Sequence, residues 1–240
     1  MPPDAITPFE PGFPTDWPIR PANYLQLDWR AHTRNFIHLW LPEGVSSGTG
    51  EDPLFILNEV ASFSFTRAEP GLWVNTLEKP GVIALRGECR AISEGVALTL
   101  EVTNLSDRAW PEARPGVCVQ LIAAPDFADL TLERTFGVRE GAFIPMAQPQ
   151  HRGVTCHYGP SAAPTDNFIA VVSTEPGYVI AQWWAGPAEV GGNCHPSIAC
   201  IHAQPASARV TPGETMRATG GLYLMRGRLE EAYRRYLAER

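Results

Sequence analysis

The chain has 240 residues, of which 44% are hydrophobic and 19% are charged, and its formal net charge is −7. That length suits one large β domain, because sandwiches and barrels commonly reach roughly 200–250 residues as a single unit. The acidic charge argues against nucleic acid as a partner, since contact with a phosphate backbone needs a concentrated basic face.

Cysteine content and the first residues bear on the compartment. Five cysteines cannot all pair within one molecule, so reduced thiols are the simpler interpretation. Residues 1–8 have neither the basic region nor the apolar run of a signal peptide, and no apolar run approaches the ~18 residues that cross a bilayer. We therefore expect a soluble cytoplasmic protein with no membrane partner.

The N-terminal segment, residues 1–22, is rich in proline. Proline fixes φ and removes a backbone donor, so this arm is predicted to lie extended across the body of the protein. Residues 23–240 are then predicted to form a single domain.

From residue 54 onward, short apolar runs alternate with Gly, Pro, Asn and Asp turns, which is typical of an antiparallel β protein. The clearest strand is 96–104, where apolar and polar residues alternate with the period of a half-buried strand. The other predicted strands are 61–66, 72–77, 82–88, 117–123, 131–136, 167–173, 178–184, 197–202 and 215–224. About ten strands indicate an all-β fold, a large antiparallel two-sheet β-sandwich.

One amphipathic helix is predicted at the C-terminus, over residues 228–239. Its apolar face follows helical spacing and consists of Leu229, Ala232, Tyr233, Tyr236 and Leu237. On the opposite face, Glu230 with Arg234 and Glu231 with Arg235 stand four residues apart, worth about 0.3 kcal/mol per exposed pair. The helix is expected to pack on the sandwich or on a neighbouring subunit, which leaves a homo-oligomer open.

Side chains that can carry chemistry concentrate at 193–202, with two cysteines and two histidines. Pro196 cannot donate to a sheet, so a strand is expected to begin directly after it. Cys200 and His202 then share one face of that strand. The alternative interpretation makes Cys200 a small core residue and His202 a hydrogen-bonded sheet residue.

A metal site is one hypothesis for this segment. His195, in the preceding loop, could fold over the strand and meet His202. With His157 as the candidate third ligand, the group would bind one divalent ion such as Zn²⁺ or Mn²⁺. The spacing matches no zinc-finger pattern. An early strand with exposed polar residues is expected around His32 and His38.

Candidate substrate-binding residues lie in or beside predicted strands. An indole ring stacks well on the apolar face of a pyranose, which makes candidates of Trp73, Trp183 and Trp184. Asp126, Glu133 and Arg134 fall between two predicted strands, where loops reach the mouth of a sheet. Such a position suits a sugar hydroxyl, or a substrate carboxylate held by the arginine.

Residues 98–111 and 116–121 resemble the central hairpin of the galactose mutarotase-like superfamily. In that family a strand ends in Thr-Asn (here Thr103-Asn104), turns through Ser-Asp (here Ser106-Asp107) and returns through Gly-x-His. The Pro-Gly-Glu turn at 212–214 also resembles the family's C-terminal end. The resemblance implies a large twisted sandwich whose concave sheet holds a sugar.

One residue departs from the family's pattern. Cys118 stands where the resemblance places the acid/base histidine. A thiol titrates near ~8.5 and does not readily replace an imidazole. Simple mutarotation is therefore not expected, and the catalytic groups of an enzyme on this fold would have moved.

The leading hypothesis is a carbohydrate-active enzyme, a lyase, hydrolase or epimerase acting on a sugar or oligosaccharide. His195 or His202 would transfer protons or bind a metal ion, helped by His157 and Arg134, with a tryptophan as the stacking platform. No cofactor other than a divalent ion is expected. The alternatives are a sugar-binding or assembly module without activity, and a metal-dependent enzyme with a non-carbohydrate substrate.

Overall fold

The structure is a computed structural model that describes residues 7–9, 24–29, 35–48, 53–56, 65–147, 155–156, 164–195 and 198–240. Its strands are β1 (Thr7–Phe9), β2 (Tyr24–Asp28), β3 (Phe36–Ser46), β4 (Pro53–Ile56), β5 (Thr66–Glu69), β6 (Leu72–Lys79), β7 (Ile83–Ile92), β8 (Gly95–Asn104), β9 (Trp110–Gln120), β10 (Thr135–Arg139), β11 (Ala142–Pro145), β12 (Thr155–Cys156), β13 (Asp166–Val172), β14 (Tyr178–Pro187), β15 (Val190–His195), β16 (Ile198–Ala203), β17 (Ala208–Val210) and β18 (Thr215–Arg226). The helix α1 spans Leu229–Glu239. Within the described residues, no helix is long and apolar enough to cross a membrane.

The described strands form two antiparallel sheets of nine strands each. The first sheet has the order β1-β2-β3-β9-β16-β15-β12, with β4 added beside β3 and β17 beside β9. The second has the order β11-β10-β13-β14-β18-β8-β7-β6-β5. The predicted all-β sandwich with one C-terminal helix is confirmed. The proposed boundary between arm and domain at residue 23 stays a prediction.

The core lies between the sheets and is built by alternation along each strand. In β8, the predicted apolar face is buried as expected. In the first sheet, Leu39 of β3, Val119 of β9 and Ile201 of β16 point into the same core. Their sequence neighbours must point the other way. We call that opposite side of the first sheet the outer face.

One predicted strand, 131–136, begins later than expected. Residues up to Arg134 form turns, and β10 starts at Thr135. The buried carboxylate of Asp129 accepts hydrogen bonds from the Arg134 backbone N–H at 2.7 Å and from Thr135 Oγ1 at 2.8 Å. An aspartate that bonds nearby backbone in this way favours a turn over a strand. The predicted strand 61–66 lies outside the described residues except for Phe65 and Thr66.

Helix α1 packs on the side of the second sheet that faces away from the core. Ala232 and Tyr236 are buried against Phe168, Trp183 and Tyr223. The charged face differs from the prediction, because Arg235 pairs with Glu239 and Glu94. Glu231 instead accepts a hydrogen bond from the Arg228 backbone N–H, which caps the first turn of the helix.

The turn that carries the family resemblance is organised by Asn104. This side chain is fully buried. Its Nδ2 donates to the carbonyl oxygens of Arg108, at 2.7 Å, and Val210, at 3.0 Å. Its Oδ1 accepts from the Ser106 backbone N–H at 2.9 Å. Because Val210 belongs to β17 and Asn104 to β8, one amide ties the two sheets together.

Replacing Asn104 with alanine is expected to lower the free energy of unfolding by about 2–4 kcal/mol, because buried backbone groups lose their partners. The matched control is Asp107→Ala, an exposed position in the same turn, expected to change stability by less than about 0.5 kcal/mol. Urea denaturation of both variants measures the difference. Equal losses in the two would contradict the assigned role of Asn104.

Candidate functional site

The outer face of the first sheet carries two rows of side chains set by strand pairing. Antiparallel register aligns the first row across β2, β3, β9, β16 and β15, namely Gln26, His38, Gln120, Cys200 and Asn193. The second row aligns Tyr24 with Trp40 and Trp40 with Cys118. One step further along the β9–β16 register brings His202 beside Cys118. Both rows together form one surface, called the polar patch below, and it includes Cys200 and His202 of β16.

Three side chains converge at the centre of this patch. Cys118 Sγ, Cys200 Sγ and one ring nitrogen of His202 lie within 4.8 Å of one another. Cys118 is 2% exposed and Cys200 is 3% exposed. Asn193 Nδ2 donates a hydrogen bond to Cys200 Sγ at 3.0 Å. Sulfur and nitrogen donors this close together can share a proton or a metal ion.

The patch meets solvent at Glu43. This residue lies within a register shift in the pairing of β3 with β9, between Trp40 and Gly44. Its Oε2 lies 4.0 Å from His202 Nε2. The side chain of Glu43 is 48% exposed and that of His202 is 12% exposed. An imidazole and a carboxylate therefore stand side by side at the accessible edge of a buried polar face.

Contacts within the cluster raise the pKa values of Cys118 and His202 and lower the pKa of Cys200. The hydrogen bond from Cys118 lowers the pKa of Cys200, and contacts with His202 and Asn193 act in the same direction against the effect of burial. Burial raises the pKa of Cys118, and the neighbouring Cys200 raises it further. Burial opposes the charge of His202, yet the hydrogen bond and charge of Cys200, with Glu43, raise its pKa overall. This favours a thiol at Cys118, a thiolate at Cys200 and an imidazolium at His202.

A second histidine on the face has the opposite tendency. His38, for which the sequence predicts an exposed position, is buried and stacks on Tyr24 with 4.5 Å between ring centroids. Burial lowers the pKa of His38, and the side chain of Gln120 only partly offsets this. Tyr24 also meets Trp40 edge to face at 5.7 Å. The lowered pKa favours a neutral imidazole at His38, which is surrounded by aromatic rings and by the Gln120 amide.

Of the histidines predicted as site residues, His202 lies in the patch. His157 lies outside the described residues, as does the side chain of His195, whose backbone ends β15. Their assignment to catalysis or to a metal stays a prediction.

Arg134 and its neighbours make structural contacts. Its Nη1 donates to the carbonyl oxygens of Asp126, at 3.0 Å, and Val172, at 2.6 Å. The Asp126 carboxylate accepts from Asn35 Nδ2 at 2.8 Å, and Glu133 is exposed. These bonds fasten the loop before β10, and a role for Asp126, Glu133 and Arg134 toward substrate stays a prediction.

The three candidate tryptophans are packed inside the protein. Trp73 and Trp184 belong to the core between the sheets, and Trp183 lies under α1. Adjacent residues on a strand face opposite sides, which explains the divergence of Trp183 from Trp184. Among the described residues, the aromatic rings clustered with Cys118 and Cys200 are those of Tyr24 and Trp40.

Sequence reasoning missed Cys118, Glu43, His38 and Asn193 as members of the site. The resemblance did single out Cys118, as the residue in the histidine position, and that was the available signal. Glu43 carried none, because its place depends on the register shift within β3.

No protein-family model matches the chain, and no curated protein matches it in sequence. Solved structures do share its architecture. The galactose mutarotase related enzyme from Lactobacillus acidophilus is 10% identical with a TM-score of 0.51, over 90% of this chain and 100% of that one. The fold is galactose mutarotase-like.

Two further solved structures have the same architecture. The Slr1438 protein from Synechocystis sp. is similar at 9% identity and a TM-score of 0.51, over 91% of this chain and 99% of that one. A galactose mutarotase-like protein from Lactobacillus casei has 9% identity and a TM-score of 0.50, over 86% and 99%. The predicted fold resemblance is confirmed.

In chelator-treated protein, we expect the pKa of His202 to lie above the ordinary value for histidine and that of His38 below it. Glu43→Gln should lower the pKa of His202, because it removes a negative charge 4.0 Å from Nε2. NMR of the imidazole resonances against pH measures both groups.

The same variant has a defined pH window for stability. Glu43 stabilises protonated His202, so the loss in Glu43→Gln appears above the pKa of Glu43 and vanishes as pH rises through the pKa of His202. Glu78→Gln, at an exposed position on β6, is the control. An unchanged His202 titration in Glu43→Gln would contradict the pairing.

Proposed function

We propose that the protein is a carbohydrate-active enzyme that binds a sugar on the outer face of the first sheet and moves a proton with His202. The observation that carries this proposal is the His202–Glu43 pair, 4.0 Å apart at the solvent edge of that face. The galactose mutarotase-like fold supports the sugar as ligand, because that description belongs to solved proteins of the same architecture.

The chemistry of the pair fits the reactions considered for a sugar. A lyase, a hydrolase and an epimerase each need one proton removed and one proton delivered. An adjacent carboxylate and imidazole supply an acceptor and a donor, and general acid–base catalysis of this kind contributes about 10²–10⁴-fold in rate. Glu43 is the candidate base and His202 the candidate acid.

The rest of the patch suits a polyhydroxylated ligand. Gln26, Gln120 and Asn193 bring amides that both donate and accept hydrogen bonds. Tyr24 and Trp40 supply aromatic surface for the apolar side of a sugar ring. Because most of these side chains are buried, charge interactions on the face are stronger than in water.

A second candidate function is a sugar-binding or assembly module without turnover. It is favoured by Cys118, a buried thiol where the family pattern has its histidine. Binding of a sugar without any reaction would distinguish this candidate from the enzyme.

The test is a panel of aldoses, sugar phosphates, glycosides and uronate oligosaccharides with three readouts. Anomer or epimer exchange by NMR reports an epimerase, release of reducing ends reports a hydrolase, and ultraviolet absorbance of an unsaturated uronate reports a lyase. Titration calorimetry on the same panel reports binding. Binding without turnover selects the module, and neither binding nor turnover overturns both candidates.

With a substrate in hand, His202→Ala and Glu43→Gln are each expected to lower kcat by about 10²–10⁴-fold with a smaller change in sugar affinity. Glu78→Gln should keep full activity. Circular dichroism verifies that each variant is folded. Undiminished turnover in a folded His202→Ala protein would overturn the assignment.

A further inference from the structure

We propose that Cys118, Cys200 and His202 bind one Zn²⁺ ion on the outer face of the first sheet. The inference deepens the proposed function by naming an ion for the same site, and it rests on that function only for the role of the ion. It differs from the sequence-based hypothesis in its ligands, since Cys118 and Cys200 take the places given there to His157 and His195.

The donor set selects the ion. Two sulfurs and one imidazole nitrogen suit Zn²⁺, whereas Mg²⁺ and Ca²⁺ prefer oxygen ligands. With Zn–S near 2.3 Å and Zn–N near 2.0 Å, the ligand atoms of a tetrahedral site stand about 3.5–3.8 Å apart. The three atoms here lie within 4.8 Å of one another. Small side-chain rotations would close the remaining gap, which is at most about 1.3 Å.

The backbone holds the three ligands in place before any ion binds. Cys200 and His202 are two residues apart on β16 and share its outer side. Cys118 lies on β9, which is hydrogen-bonded to β16. Ligands on paired strands are positioned more precisely than ligands on loops. An ion at this point would also neutralise sulfur charge on a face that is largely removed from water.

Neighbouring side chains provide the support that metal ligands commonly have. Asn193 Nδ2 bonds to Cys200 Sγ at 3.0 Å. The Glu43 carboxylate lies 4.0 Å from His202 Nε2. A carboxylate that accepts a hydrogen bond from a ligating histidine orients the ring and strengthens it as a ligand, and a shift of Glu43 by about 1 Å would make that bond. Three ligands are found among the described residues, and in this proposal a water or a sugar oxygen would take the fourth position, as in catalytic zinc sites.

The ion has a defined role in the proposed reaction. When bound, the ion would be held by His202 together with the two cysteines and would supply Lewis-acid polarisation of a sugar oxygen, so the proton donation proposed for His202 belongs to the metal-free protein. Glu43 remains the base. Glu43→Gln would then impair turnover of the zinc-bound protein as well, and His202→Ala would impair it through loss of the ion.

The experiment uses the 240-residue chain without a tag, kept under a non-thiol reductant. After dialysis against ZnCl₂ and removal of free metal, elemental analysis is expected to find one Zn²⁺ per chain. Co²⁺ in place of Zn²⁺ is expected to give the sulfur-to-cobalt charge-transfer and ligand-field absorption of a tetrahedral thiolate site. Both readouts are independent of any enzymatic activity.

Variants assign the ligands. Cys118→Ser, Cys200→Ser and His202→Ala are each expected to weaken Zn²⁺ affinity by at least about 100-fold, and Glu43→Gln by about 10–100-fold, the size typical for a supporting residue. Cys89→Ala is the matched control, because Cys89 is also a buried free cysteine but lies in the core. It should leave affinity unchanged, and circular dichroism verifies folding of every variant.

The outcomes separate this inference from the proposed function. Substoichiometric Zn²⁺, or equal affinity in wild type and folded Cys118→Ser and Cys200→Ser, would overturn the metal site, even if sugars are turned over by chelated protein. One Zn²⁺ lost in those variants, with no sugar bound or converted, would uphold the metal site and reject the carbohydrate function in favour of a metal-dependent enzyme with another substrate.

Discussion

The fixed pairing of β3, β9 and β16 is the constraint on which the fold and the site both depend. Leu39, Val119 and Ile201 of these strands fill the core between the two sheets. Because side chains alternate along a strand, the register that buries this set presents Cys118 and Cys200 on the reverse side. A slip of one residue would exchange the two faces and bury polar groups in the core. Hydrophobic packing therefore holds the chemical groups in place without a dedicated loop.

The site is a balance of charges within a largely dry environment. A buried charge is costly unless it is paired. The lowered pKa of Cys200 favours a negative sulfur, Glu43 offers a second negative group, and the raised pKa of His202 favours a cation that faces both. The cluster thus favours positive charge at one point on the face. A proton on the imidazole meets that demand in the metal-free protein, and a divalent ion would meet it more fully.

How much the sequence predicts depends on the range of the interaction. The two-residue period of β8 and the helical spacing of α1 are local patterns, and both predictions are confirmed. The placement of Cys200 with His202 on one face of β16 is local too. The meeting of Cys118 with that pair depends on strand pairing across 82 residues of chain, which a single sequence does not reveal. Arg134 is a case in which the sequence suggested a site residue and the structure shows a structural contact. Its guanidinium donates hydrogen bonds to two backbone carbonyl oxygens, and the one on Val172 is 38 residues away in the chain.

The structure places a histidine beside Cys118, the position at which the sequence resemblance expects one. The family pattern places an imidazole at this position of β9, yet here the imidazole comes from His202 on the neighbouring strand. Paired strands are about 4.8 Å apart, and the β9–β16 register carries His202 to the side of Cys118. A histidine at position 118 and one at position 202 would therefore differ in place by about that spacing and share one face of the sheet. Position 118 holds a thiol whose sulfur lies within 4.8 Å of Cys200 Sγ and of a His202 ring nitrogen. If His202 is the acid/base group that we propose, the sheet keeps such a group near one point while another strand supplies it, and the thiol at position 118 adds a sulfur donor that an imidazole there would not provide.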